Sequence, residues 1–180
     1  HPVAHSFPTR RSSDLALALA AGGCGSDGSD GPRALLGRPA PDLTLERLEI
    51  GRFYLNERRG RPVVVVFWQT TCQVCKREIV ALDALARAPR TRGGAYVTVL
   101  TDPENRDAAR RIVAGLGTSL PTLLDPDARS AGRYRVRAYP TTFVIDRAGR
   151  VSLAREGFTA PLVDQVRDAV ARQLEGGGGG

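Results

Sequence analysis

The chain has 180 residues, of which 42% are hydrophobic, and its 26 basic and 19 acidic residues give a net charge of +7. This length and apolar content suit one compact domain and are short for two. The basic residues are arginines except for Lys76, and they are scattered rather than interleaved with aromatic residues, so we expect no nucleic-acid partner.

The N-terminal region is expected to lie outside the folded domain. Residues 1–15 resemble the translation of a sequencing adapter, so we expect them to play no part in the fold. Residues 16–24 form a short apolar run that ends in small residues and Cys24, which is typical of a truncated secretion signal with a lipoprotein cleavage box. This run is too short to span a bilayer as a helix, which takes about 20 residues. The alternative is an ordinary signal peptide cut near Ala21, which would leave Cys24 as a free thiol.

Residues 25–36 are rich in glycine, serine and aspartate at their start and are predicted to be a flexible linker. The domain itself is predicted over residues 37–175. The glycines at 176–180 are expected to form a disordered tail.

The first half of the domain is predicted to be extended and then helical. Residues 43–45 alternate after a proline-rich start, and residues 53–55 add an edge strand. Residues 62–68 form a continuous β-branched and aromatic run, which predicts a strand buried on both faces of a sheet. Apolar residues then recur at helical spacing from about Gln73 to Ala88, where Pro89 ends the helix.

The second half predicts a further strand at 95–100 and a helix that Asp102 caps and that ends near Gly117. A short strand, a short helix or turn, a hairpin and a closing helix follow, at 122–124, 127–134, 142–154 and 160–174. This order predicts an α/β fold, with a mixed central β-sheet flanked by helices on both faces.

Two cysteines carry the chemistry of the chain. Cys72 and Cys75 come directly after the buried strand and open a helix, where backbone N–H groups and the helix dipole favour a thiolate. A C-x-x-C in this context is typical of a redox pair. We expect Cys72 to be the exposed attacking thiolate and Cys75 to resolve the mixed disulfide. A static disulfide, or two buried thiols, is the alternative.

The absence of histidine from the predicted domain excludes several kinds of site. His1 and His5 both lie in the adapter-like segment 1–15. A Cys–His dyad and a Cys/His zinc site therefore cannot form, and three cysteines cannot make a four-thiolate one. Lys76 follows Cys75, which excludes a C-x-x-C-H haem attachment site. We expect no metal and no cofactor.

Several motifs together carry a family resemblance. They are the segment 37–42, the strand into Phe67 and Trp68, the C-x-x-C followed by Lys76-Arg77-Glu78, the segment 124–127, and the Pro-Thr-Thr-Phe run that extends from Pro140 to Gly149. With them the chain resembles the thioredoxin superfamily, and more narrowly the TlpA/ResA-type thiol–disulfide oxidoreductases of the bacterial envelope, whose redoxin domain is related to AhpC/TSA proteins. The resemblance runs from Gly37 to about Leu174 and implies a thioredoxin-like fold.

The resemblance also implies which residues shape the site. Pro140 should follow a cis bond and lie against the cysteine pair, and Tyr139 should border the thiols, although a packing role for Tyr139 is an alternative. Trp68, Gln73 and Val74 are the remaining residues expected to shape the site.

Three positions depart from the family pattern. Thr71 stands where the family usually has tryptophan, and Val74 stands where it has proline. Val66 stands where cytosolic thioredoxins carry a buried acid that accepts the proton of the second cysteine. Glu78 is the nearest substitute for that acid, but its helical position predicts a solvated side chain.

The resemblance implies an extracytoplasmic enzyme that reduces disulfides of exported proteins, such as apocytochromes c. Its electrons would come from a membrane thiol carrier, a lipid anchor on Cys24 would tether it, and we expect a monomer. A peroxiredoxin-like peroxidase is a second hypothesis, although Gln69 and Val65 replace the threonine and proline of such enzymes. The third and fourth hypotheses are a Cu(I)-binding protein and an inert binding module, both on the same fold.

Overall fold

The computed structural model describes residues 31–103 and 106–176. Within these ranges a seven-stranded sheet, in the order β2-β1-β5-β4-β3-β6-β7, is flanked by four helices. The strands are β1 (Thr44–Arg47), β2 (Arg52–Tyr54), β3 (Val63–Trp68), β4 (Ala95–Leu100), β5 (Thr122–Leu124), β6 (Thr141–Ile145) and β7 (Val151–Glu156). The helices are α1 (Gln73–Arg87), α2 (Arg106–Leu116), α3 (Arg129–Arg133) and α4 (Ala160–Glu175), and 3-10 turns occupy Pro32–Leu35 and Asn56–Arg58.

Strand β3 lies inside the sheet, parallel to β4 and antiparallel to β6, and all of its residues are buried. Its side chains alternate between the two faces. Val63, Val65 and Phe67 join one core cluster, whereas Val64 and Val66 join another. A run of β-branched and aromatic residues without polar alternation is what a strand covered on both faces requires, so the predicted buried strand is confirmed.

Helices cover both faces of this sheet. On one face Leu82 of α1 and Val166 of α4 pack in the cluster that contains Val64 and Val66. On the other face Tyr134, at the end of α3, packs against Phe67 and Phe143, with ring centroids 5.1 and 5.0 Å away. The predicted α/β fold with a mixed sheet is therefore confirmed.

The folded region begins before residue 37, inside the segment 25–36 that is predicted to be a linker. Residues 31–36 of that linker are described, and they include a 3-10 turn over Pro32–Leu35. Leu35 is 8% exposed, and Leu36 bridges to Val151 of β7. The apolar Ala34-Leu35-Leu36 triplet gives this segment a surface to bury, so the folded region begins no later than Pro32.

The hairpin of β6 and β7 turns at Gly149, whose φ of +80° favours glycine. Its N–H donates to the carbonyl of Asp146 at 2.9 Å and closes the turn.

No helix among the described residues is long and apolar enough to span a membrane.

Candidate active site

The two cysteines of the C-x-x-C lie at the junction of β3 and α1. Cys72 is the extended N-cap residue of α1, and its sulfur accepts a hydrogen bond from the backbone N–H of Cys75 at 3.1 Å. The two sulfurs form a disulfide, with Cα atoms 5.3 Å apart. Cys72 thus stands at the positive end of the helix dipole, where a thiolate released by reduction is stabilised.

The two sulfurs differ in how far they can be reached. Cys72 is partly exposed, whereas Cys75 is 0% exposed. The difference follows from the helix geometry, because Cys75 lies one turn further along α1, on the face that turns towards the sheet. An outside thiol or disulfide can therefore reach Cys72 and not Cys75.

An apolar cluster lies against the buried side of the disulfide. It contains Trp68, the buried last residue of β3, together with Cys75, and Cys72 and Tyr139 pack against it. Tyr139 comes from the loop before β6, so the structure brings two of the predicted site-shaping residues to the cysteines. Gln73 is exposed and Val74 is partly buried at the start of α1, and neither belongs to this cluster.

Pro140 follows Tyr139 through a cis peptide bond and is buried. The cis bond that the resemblance implied is therefore confirmed. The carbonyl of Pro140 accepts the N–H of Gly157 at 2.8 Å. This bond ties the loop before β6 to the end of β7.

Glu78 differs from the solvated side chain that its sequence position predicts. Its side chain is 0% exposed, and the hydroxyl of Thr142 on β6 donates to Oε1. Oε2 has no hydrogen-bond partner among the described residues. Burial raises the pKa of Glu78 from 4.5 to about 7, although the hydrogen bond from Thr142 opposes this shift. The residue therefore exchanges a proton near neutral pH.

Glu78 places a buried acid over strand β3, which has none of its own. Thr142 is paired with Val66 across β3 and β6, so the Glu78 carboxylate lies over the part of the sheet where Val66 stands. On α1, Glu78 follows Cys75 by three residues, a spacing that places two side chains on the same helix face. Helix α1 thus places a buried carboxylate on the same face as Cys75, over the strand position that Val66 occupies.

A second acid, Asp102, holds the loop that carries Cys72. It follows β4, and its carboxylate accepts both the N–H and the hydroxyl of Thr70, each at 2.8 Å. The sequence pattern predicts only a helix cap at Asp102. Its contact with Thr70 joins residues 32 positions apart, so local sequence patterns give no sign of it.

The remaining site predictions concern a lipid anchor and metals. Cys24 lies outside the described residues. In the described part of the chain, no group of three or more histidine, cysteine, aspartate or glutamate side chains is placed to hold a metal ion.

Known proteins resemble this chain in sequence and in fold. A profile of the AhpC/TSA family matches residues 36–154. The thiol-disulfide oxidoreductase ResA of Bacillus thuringiensis is 28% identical over 123 residues, which cover 68% of this chain and 70% of ResA.

Two solved structures have a fold similar to that of this chain. A candidate thiol:disulfide interchange protein DsbE from Chlorobium tepidum superposes with a TM-score of 0.65 at 26% identity, over 78% of this chain and 96% of that one. The exposed lipoprotein thioredoxin Etrx1 of Streptococcus pneumoniae has a TM-score of 0.61 at 24% identity, over 76% of this chain and 99% of its own, and shares the fold. The chain therefore belongs to the AhpC/TSA family and is a thiol–disulfide oxidoreductase with a thioredoxin-like fold.

Proposed function

We propose that Cys72 and Cys75 are the reacting residues and that the enzyme reduces disulfides of exported proteins. The observation that carries this proposal is the asymmetry of the pair. Cys72 is reachable and caps α1, whereas Cys75 is buried three residues before a carboxylate whose pKa lies at about 7. Such an arrangement suits one sulfur for attack on a substrate and the other for resolution.

The reaction begins with the reduced enzyme. The Cys72 thiolate attacks one sulfur of a substrate disulfide, a mixed disulfide forms, and the other substrate sulfur leaves as a thiolate. Ionised Glu78 then takes the proton of the Cys75 thiol, and the Cys75 thiolate attacks the sulfur of Cys72. The Cys72–Cys75 bond forms, the second substrate thiolate leaves, and two electrons have passed from the enzyme to the substrate. A membrane thiol carrier would return them.

The surface beside the disulfide favours one kind of substrate. A shallow groove between α1 and α2 is lined by Gln73, Lys76, Arg77, Val80, Gly115 and Leu116. Lys76 and Arg77 have no ion-pair partner among the described residues, and Val80 is 49% exposed. Positive charge beside exposed apolar surface favours a substrate segment that carries both acidic and apolar side chains.

The location of the enzyme is a further proposal. A lipid anchor on Cys24 would tether a monomer outside the cytoplasmic membrane, within reach of exported proteins such as apocytochromes c. The apolar run that ends at Cys24 supports this proposal, as does the likeness to a lipoprotein thioredoxin of the same fold. Replacement of Cys24 by serine should release the protein from the membrane fraction of a bacterial host.

Trapping of the mixed disulfide tests the proposed roles. In a chain that carries Cys24→Ser, the reduced Cys75→Ser variant should form a stable adduct with a disulfide-bonded peptide, joined through Cys72, that mass spectrometry detects. The Cys72→Ser variant should form none. An adduct at Cys75, or full reductase activity without Cys72, would contradict the assignment.

Membership of the AhpC/TSA family keeps a peroxidase as the second candidate. Gln69 and Val65 occupy the places of the threonine and proline that such enzymes carry, which argues against it. Consumption of hydrogen peroxide by the reduced protein, at a rate that exceeds its disulfide reduction, would favour the peroxidase.

A further inference from the structure

A second cavity lies at the end of the sheet where β4 begins. Its volume is about 200 Å³, and three arginines line it, Arg47, Arg52 and Arg58. The other walls are formed by Phe53, Ala95, Tyr96, Val97 and Pro121. The cavity therefore combines positive charge with partly apolar walls.

Two of these arginines each have a buried N–H group without a hydrogen-bond acceptor among the described residues. The Nε atoms of Arg47 and Arg58 are buried, and neither has a hydrogen-bond partner among the described residues. The Arg58 guanidinium lies over the ring of Phe53, 5.3 Å from its centroid, which fixes the position of its head. A buried N–H of a charged group without an acceptor is costly, so these atoms favour any acceptor that enters the cavity.

No carboxylate among the described residues accepts from the two buried Nε atoms. The residues that line the cavity include no aspartate or glutamate. Glu46, which precedes Arg47, is already shared between Arg52 at 3.5 Å and Arg106 at 3.1 Å. Glu46 thus offsets part of the charge of Arg52, whereas Arg47 and Arg58 have no carboxylate partner among the described residues.

We propose that this cavity binds a phosphate group, carried by a small phosphorylated metabolite or by a phospholipid headgroup. Guanidinium groups are weakly hydrated and present paired N–H donors that match phosphate oxygens. A phosphate monoester carries up to two negative charges, which suits a cavity with three arginines better than a carboxylate does. The apolar walls offer contact to the carbon part of the ligand.

The site is separate from the disulfide and does not depend on the proposed function. Ala95 is the first residue of β4, whereas Cys72 follows the last residue of the parallel strand β3. A six-residue strand is about 20 Å long, so the two sites lie at opposite ends of the sheet. Changes in the cavity should therefore leave disulfide exchange unchanged.

Calorimetric titration of the oxidised full chain tests the proposal, in a phosphate-free buffer of constant ionic strength. Inorganic phosphate and glycerol 3-phosphate are the soluble probes, and vesicles with and without phosphatidylglycerol are the lipid probe. Arg47→Lys and Arg58→Lys keep the charge and remove Nε, so each should weaken binding by about tenfold. Exposed Arg61, which does not line the cavity, provides the matched control Arg61→Lys.

The outcomes separate the sources of the phosphate group and can overturn the proposal. Saturable binding of a soluble probe that the cavity variants weaken and Arg61→Lys leaves intact supports a metabolite. The same pattern with phosphatidylglycerol vesicles alone supports a headgroup. Absence of saturable binding to every probe, or equal weakening by Arg61→Lys, overturns the proposal, because the charge would then act only as part of the general basic surface. Thermal unfolding of each variant verifies that it is folded.

Discussion

Glu78 holds a proton inside the protein at pH values where an exposed glutamate would have lost it. Burial raises its pKa from 4.5 to about 7. Below about pH 7 the buried side chain is therefore largely neutral, and above it the carboxylate is available to take the proton of Cys75. The rate of resolution by Cys75 should accordingly rise as the pH passes through about 7.

The Glu78→Gln variant tests this proton balance through stability. Between pH 4.5 and about 7 the folded protein binds a proton that the unfolded chain has lost, so this residue's contribution to stability falls as the pH rises. The loss should approach about 3 kcal/mol above pH 7. Glutamine does not titrate, so the stability of Glu78→Gln relative to wild type should increase between pH 5 and pH 8. Urea unfolding of the oxidised proteins measures it.

The same variant should change the reaction. Without the carboxylate, resolution by Cys75 should slow by on the order of 10² and lose its rise near pH 7. Glu57→Gln, at an exposed position on a 3-10 turn, is the control for loss of a negative charge. Parallel stability curves for Glu78→Gln and wild type, together with an unchanged pH–rate profile, would show that Glu78 does not titrate as described.

Local sequence context reveals some residues of this site and hides others. Cys72 and Cys75 could be predicted because strand, cysteine spacing and helix start are all local features. Glu78 could have been predicted to be buried, because Cys75, Glu78, Ile79 and Leu82 follow one helical stripe. Its polarity argued against that position. The hydrogen bond from Thr142 comes from a strand 64 residues away, and local patterns do not show such contacts.

At the scale of elements, the loop between β3 and α1 depends on Asp102. Two hydrogen bonds from Thr70 to this carboxylate fix the chain just before Cys72. Asp102→Ala should cost about 1–3 kcal/mol, because a partly buried N–H loses its acceptor, and should slow disulfide exchange by loosening the loop. Asp102→Asn keeps an acceptor oxygen and should retain most of both properties.

Urea unfolding and peptide reduction measure these effects. Asp127→Ala, at a side chain that is 72% exposed, is the control for removal of an aspartate. If Asp102→Ala behaves like Asp127→Ala in both measurements, Asp102 does not position the loop.

An element can be predicted from sequence when local residues stabilise it, and cannot when contacts distant in sequence do so. Strand β3 and helices α1 and α4 can be predicted because burial dictates their hydrophobic periodicity. The pairing of β1 with β5 cannot, because it rests on long-range contacts such as Glu46 with Leu124. The turn at Pro32–Leu35 is not predicted, because the Gly, Ser and Asp residues before it indicate a flexible linker.

At the scale of the whole molecule, the basic groove should select among substrates. Arg77→Glu should raise the KM for an acidic disulfide peptide by about two- to fivefold, because it reverses a charge beside the substrate path. The effect should shrink at high salt, where surface charges are screened. Reduction of the uncharged hydroxyethyl disulfide should be unchanged. Arg61→Glu makes the same change of charge at the far end of the sheet and should have no effect, so an equal effect of both would indicate net charge alone.

The central claim is that Cys72 and Cys75 form a reversible two-electron couple, and Trp68 provides a direct probe of it. Trp68 is the single tryptophan of the chain and packs in one cluster with Cys75. Its fluorescence should change when the disulfide opens. The measurement is a redox titration of the Cys24→Ser chain in dithiothreitol and glutathione buffers. We predict one reversible transition, with about 30 mV per tenfold change in the ratio of oxidised to reduced protein. A disulfide that stays closed, or that opens without closing again across the range of about −320 to −120 mV covered by cellular thiol couples, would contradict it.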